Sequence, residues 1–279
     1  MLTNLQKRTR IKRFTPIQRL FHVLLIVTFL TQGATGLARM FIETSWGRTV
    51  AWIFGGYEAC RTIHIDVGII MMCGFALHGI YLLFKINWKK FPGSLFSPDS
   101  LLPRPKDAKD FLQHIGWFFG ISQAPQFDRW GYWEKFDYWA VFWGIPVLGI
   151  TGLVLAYPLS ATQVMPGWFL NLAFWIHRIE ALLAMCHVFI IHFFIGHLRR
   201  HNFPMDRTMF EGSSDLEATR HERPAWLARL EQTGELDRKL VPETGVARRA
   251  VYYVVGYLAL ACGVFLLIGG LLNSPYITW

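Results

Sequence analysis

Charge is what this chain has least of. Only 17% of its 279 residues are Asp, Glu, Lys or Arg, against 53% hydrophobic, and the mean hydropathy is +0.29. A water-soluble domain of this length needs more charge to cover its surface, so that class is set aside. The charge is also clumped: residues 20–38, 67–84, 138–177, 181–198 and 250–279 carry none. Cysteine is scarce as well. Cys60, Cys73, Cys186 and Cys262 show no CxxC spacing, which argues against a zinc site, an iron–sulfur cluster or a disulfide framework. No CxxCH is present to attach a c-type haem, and no glycine-rich fingerprint marks a nucleotide or flavin site.

What is present instead is apolar length. About 20 apolar residues in a helix cross roughly 30 Å of hydrocarbon. The 138–177 gap is long enough for two spans and is broken by YPLSATQVMPG, whose Pro158, Pro166 and Gly167 signal a turn. Five transmembrane helices are expected, near 16–41, 59–85, 135–157, 168–198 and 249–272. Basic residues collect before the first span (Lys7 to Arg19), between the second and third (Lys85 to Arg129) and between the fourth and fifth (Arg199 to Arg249). The alternate loops hold only Arg48 and Arg61. That asymmetry predicts a cytoplasmic N-terminus and a periplasmic C-terminus in a bacterial cytoplasmic membrane. It also explains the net charge of +9 without nucleic acid. The first span is too long, and too plainly followed by others, for a cleaved signal peptide.

The expected organisation is a four-helix core over 1–200 with a cytoplasmic loop at 86–134, a cytoplasmic segment at 201–248, and an additional C-terminal helix within 249–279. In the loop, FPGSLFSPDSLLPRPKD reads as irregular and KDFLQHIGWFFG as an interfacial amphipathic helix. In the later segment Ser213 is a candidate N-cap and Pro224 a helix interruption. No internal repeat is visible.

The stretch IHRIEALLAMCHVFIIHFFIGH, residues 176–197, places four histidines in an apolar span. His64 and His78 are 14 residues apart on the second span; His177 and His192 are 15 apart on the fourth. At about 100° per residue each pair lies on one helix face, roughly 21–22 Å apart along the axis. Both helices run from outside to inside, so His64 is level with His177 and His78 with His192. That is the geometry for two stacked haems held between two helices. Neutral imidazole tolerates burial and binds iron in both oxidation states. A single such histidine could be a satisfied polar group in a bundle, but two matched pairs of costly intramembrane residues point to function. His187, five residues from His192, falls on the opposite face and reads as packing.

The inner level has further candidates. His22 lies one turn into the first span, and His197 one turn beyond His192. Either His22 or His78 can oppose His192, and a His22–His197 pair would hold a third haem. Arg61 and Arg178 sit one step from the outer histidines and suit haem propionates, or ion pairs with Asp66 and Glu180. Gly33, Gly36, Gly68, Gly74, Gly149 and Gly152 mark places of close approach by a macrocycle or another helix. For a quinone site the inner end is richer in polar groups, with His201 and Asp137 the candidates chosen.

RLFHVLLIVTFLTQGATGL, with Arg19, His22 and Thr35-Gly36-Leu37, resembles the first span of the bacterial cytochrome b superfamily that includes formate dehydrogenase gamma subunits and hydrogenase cytochrome b subunits. The resemblance continues through RTIHIDVG, FDYWAVFWGIPVLGITGLVL, HRIEALLAMCHVFIIH, MDRTMFEG and ERPAWLARLE, covering roughly 14–232. It implies ligands at His22, His64, His177 and His192, with the first-span histidine opposing the inner one of the fourth span. It also implies a quinone beside the inner haem. His78 and the 15-residue spacing depart from that pattern, which uses 14. They look more like cytochrome b of the quinol:cytochrome c oxidoreductases, and HFFxxHLRxxxFPMD resembles a branch of cytochrome b/b6-like proteins.

The expectation is therefore an all-α integral membrane protein, a five-helix bundle enclosing two b haems, or three. It would carry electrons between the quinone pool and a redox partner subunit, either a multihaem c-type cytochrome or an iron–sulfur protein. The alternatives are a free-standing quinol-oxidising cytochrome with a small acceptor and a haem-free, histidine-lined transporter.

Overall fold

The computed structural model describes residues 9–199, 202–203 and 205–277. Five helices are long and apolar enough to cross a membrane: α1 (Pro16–Met40), α2 (Tyr57–Lys85), α3 (Tyr132–Ala156), α4 (Trp168–Cys186, prolonged to Leu198) and α5 (Val246–Asn273, prolonged to Tyr276). Each lies within a few residues of its expected span. In hydrocarbon no water can satisfy a free backbone group, so each crossing closes its own hydrogen bonds as a helix. The start of α1 is written in the sequence. Thr15 Oγ1 accepts from the Gln18 amide at 3.3 Å, Gln18 Oε1 accepts from the Thr15 amide at 2.9 Å, and Pro16 fills the first helical position.

The chain groups into two compact units. One comprises residues 20–79, 142–206 and 253–279. Here α1 packs on α2, with Gln32 Nε2 donating to the His64 carbonyl at 2.6 Å, and on α4, with Phe29 5.8 Å from Phe189 between ring centres. The shared core is Leu37, Phe41, Phe189, Phe193 and Leu266, all buried. α5 joins this core through a face of small residues, Gly256 and Gly263 beside Leu266, which lets helices approach closely where lipid offers no hydrophobic drive. A Cβ on Gly263 would come within 2.5 Å of the Phe193 ring. The short helix Ser45–Ile53, capped by Thr44, follows α1.

The fourth span is not a uniform α-helix. It becomes π-helical over His187–His192 and again over Phe194–Leu198. In that winding residues five apart fall on nearly the same side. His187 therefore comes round to about 40° from His192, which corrects the expectation that it lies opposite.

The other unit comprises residues up to 19, 80–141 and 207–252. It holds a small antiparallel sheet in the order β2-β1-β3, with β1 (Arg10–Lys12), β2 (Ser213–Asp215) and β3 (Leu240–Val241), an addition to the all-α expectation. Ile11 pairs with Ser214 on one side and Leu240 on the other. Behind it Ile11, Trp226, Leu227 and Leu230 form a buried cluster. Ser213 is a strand residue rather than an N-cap; Asp215 caps the helix Leu216–Glu222 by accepting from the Ala218 amide at 2.9 Å. Pro224 opens the next helix, Pro224–Gln232, at its first position. The expected amphipathic helix is present as Pro105–Phe118, with Phe111, Leu112 and Phe118 exposed.

Ion pairs, several of them buried, knit this unit. Arg10 and Arg207 reach the Glu211 carboxylate at 2.6 and 3.1 Å, and burial still holds that carboxyl above its ordinary range despite both guanidiniums. Arg13 and Arg223 converge on Glu134 at 2.5 and 3.0 Å. Arg229 bridges Asp99 and Asp128 at 3.0 and 2.6 Å. Burial pushes the Asp99 carboxyl up, but Arg229 and Arg129 outweigh it and hold the group below the usual carboxylate range.

Candidate functional site

His64 on α2 and His177 on α4 face each other with ring centres 6.2 Å apart. Each is held by a threonine on the span before it. Thr35 Oγ1 donates to the Thr31 carbonyl at 2.7 Å and lies 3.0 Å from His64 Nδ1. Thr151 Oγ1 donates to the Val147 carbonyl at 2.6 Å and lies 3.0 Å from His177 Nδ1. A hydroxyl has one hydrogen to give, and here a backbone carbonyl receives it. The oxygen is left to accept from the imidazole. Nδ1 therefore carries the proton, and Nε2 keeps its lone pair.

A glycine follows each threonine. A Cβ on Gly36 would meet His64 Cε1 at 3.2 Å, and one on Gly152 would meet His177 Cε1 at 3.2 Å. The same Thr-Gly-Leu triplet, at 35–37 and 151–153, thus receives an imidazole on two different helices. Sequence reading found no repeat. The doubled triplet was its one visible signal, too short to stand out against the common small-residue background of membrane helices.

A second pair lies further along. His22 on α1 and His192 have ring centres 6.4 Å apart. His197 joins them, 6.3 Å from His192 with the two rings perpendicular. The Nδ1 atoms of His22 and His197 are buried without a hydrogen-bond partner among the described residues. Of the two residues expected to oppose His192, His22 is brought to it, while the His78 ring is set against Phe21 and Phe142, 4.7 and 6.0 Å away. Counting 13 residues of α1 from His22 to Thr35 separates the two pairs by roughly 20 Å at 1.5 Å per residue.

Arg61 is exposed, and Arg178 lies 4.9 Å over the Phe174 ring. Sequence reading missed Arg39, which acts electrostatically on both His64 and His177. Its Nε is buried without a hydrogen-bond partner among the described residues, and its guanidinium lies 5.8 Å from the Tyr57 ring. Of the quinone candidates, Asp137 is half-buried on α3 and His201 lies outside the described residues.

Among curated proteins none matches the chain. The family model for prokaryotic cytochrome b561 matches residues 13–212, from just before α1 to a point shortly after α4. A match over that length, on a membrane bundle with paired imidazoles, means that the chain belongs to the prokaryotic cytochrome b561 family, bacterial membrane b-type cytochromes that transfer electrons.

Proposed function

We propose that this protein is the membrane subunit that carries electrons across the bilayer between the quinone pool and a redox partner subunit. It does so through two bis-histidine b haems, held by His64–His177 and by His22–His192. The observation that carries this reading is the spacing within each pair. Two imidazoles on opposite faces of one metal have ring centres roughly 6.2–6.3 Å apart, from about 2.0 Å of metal–nitrogen bond and ~1.1 Å from nitrogen to ring centre on either side. The pairs measure 6.2 and 6.4 Å. The lone pairs left on Nε2 of His64 and His177 suit the same role.

Bound haem b supplies a one-electron couple between ferric and ferrous iron. The chain's own residues hold it and keep it dry. Four imidazoles, His22 from α1, His64 from α2, and His177 and His192 from α4, would hold it. Gly36 and Gly152 leave room for the rings, and Arg39 offers a cation for propionate beside the first pair. The separation of roughly 20 Å between pairs spans most of the hydrocarbon layer. Because His197 closes the same cluster as His22 and His192, two haems are favoured over three. The basic residues between spans favour a cytoplasmic N-terminus, which puts the His64–His177 pair on the periplasmic side. The quinone would then meet the His22–His192 end, and the partner, a multihaem c-type cytochrome or an iron–sulfur protein, the opposite one.

A pyridine haemochrome assay on the purified protein tests the reading. Two haems per chain are expected, falling to one in His64→Ala or His177→Ala and to one in His22→Ala or His192→Ala, with His78→Ala keeping both. Loss of a haem from His78→Ala but not from His22→Ala would reassign the second pair, and absence of bis-imidazole bands in the wild type would leave a haem-free role.

A further inference from the structure

We propose that Thr35 and Thr151 are a duplicated positioning device that lowers the redox potential of the haem at the His64–His177 pair. This rests on that pair being axial ligands. Each hydroxyl is fixed by donating to a carbonyl four residues back on its own helix, at 2.7 and 2.6 Å, and so can only accept from the histidine. Both threonines are buried, Thr35 completely, so no water competes for the Nδ1 proton. Each hydroxyl shares that proton only with a backbone group of its own helix, at Gln32 for His64 and at Leu148 for His177. An imidazole that donates from Nδ1 is the more basic ligand through Nε2, and a more basic ligand favours ferric over ferrous iron. Two such bonds, one on each axial ligand, act in the same direction.

The glycine after each threonine completes the device. It lets the ring slide close to the preceding helix, within 3.2 Å of where a Cβ would be, and so within reach of the hydroxyl. The other pair differs on at least one side, because His22 Nδ1 is buried with no acceptor among the described residues. The threonines thus lower the potential of the His64–His177 haem against the Arg39 cation, which raises it, and favour electron flow from that haem toward His22–His192. Nothing in the ligand pattern alone gives that bias. It comes from residues that touch no iron.

A redox titration of the purified, haem-loaded protein, followed in the visible bands, decides it. His64→Ala, lacking one haem, identifies which midpoint belongs to which pair. Thr35→Val and Thr151→Val, isosteric but without the hydroxyl, should each raise the midpoint of the His64–His177 haem and leave the other unchanged. Thr35→Ser and Thr151→Ser, which keep the hydroxyl, should titrate as the wild type. Valine variants that hold both haems at wild-type potentials would overturn the proposal. If a valine variant loses haem, the serine variant settles the matter: retention at the wild-type midpoint supports the hydroxyl bond, and loss from both reduces the threonine to packing and refutes it. Retention of both haems by His64→Ala and His177→Ala is a separate failure, that of the ligand assignment itself.

Discussion

An imidazole inside a bilayer has two nitrogens to satisfy and no water to do it with. At His64 and His177 the answer is local: a threonine takes one nitrogen, and a missing side chain lets the ring reach it. The glycines can be tested apart from the hydroxyls. At 3.2 Å a Cβ already crowds the ring carbon, and a branched side chain would push the imidazole off its axis. Gly36→Val and Gly152→Val should each lower the haem-to-protein ratio from two to one, with the remaining spectrum that of the His22–His192 haem. Gly79→Ala, next to His78 but with nothing within 4 Å of its added carbon, should keep both haems. Equal loss from all three variants would show that glycine matters here only for general packing.

Between residues and the bundle stands the winding of the fourth span. In a regular α-helix the 15 residues from His177 to His192 leave the second ring about 60° past the first. With π winding over the last five, at roughly 80° per residue, it comes to about 40° short of the first. A 14-residue α-helical spacing gives that same angle, so the π turn absorbs one extra residue and restores the register. Deleting Ile190, half-exposed within the π segment, should therefore let the span close as an α-helix and keep both haems. Deleting Val27 on α1, which has no π turn to yield, should turn His22 by about 100° against Thr35 and cost a haem. Haemochrome ratios of the two deletion proteins check this; loss of haem from both would mean that the π turn holds no slack.

For the whole molecule, basic residues do two things at once. Arg10, Arg13, Arg223 and Arg229 neutralise buried or half-buried carboxylates within one compact unit, and all of them lie in the segments that the charge asymmetry assigns to the cytoplasm. Folding them into ion pairs on that side would make the orientation hard to reverse. A reporter enzyme inserted between residues 234 and 235 should be active in its cytoplasmic form, and one fused after Trp279 in its periplasmic form. The opposite pattern would exchange the two sides and bring the His22–His192 end to the periplasm.

The number and place of the spans were legible because a bilayer imposes them: hydrocarbon thickness sets the length, and the lack of water forces the helix. The choice of histidine as the intramembrane polar residue was legible for a similar reason, since few neutral side chains bind iron. What faces what was not. His22 and His78 are equally well placed by depth, and only the packing of α1 against α4 brings His22 to His192. The part played by Thr35 and Thr151 was hidden because threonines in membrane helices routinely bond back to their own carbonyls. Sequence alone cannot tell that a second helix then delivers an imidazole to the remaining lone pairs. Periodicity fixes which residues share a face; the azimuth of that face comes only from side chains of other helices packing against it.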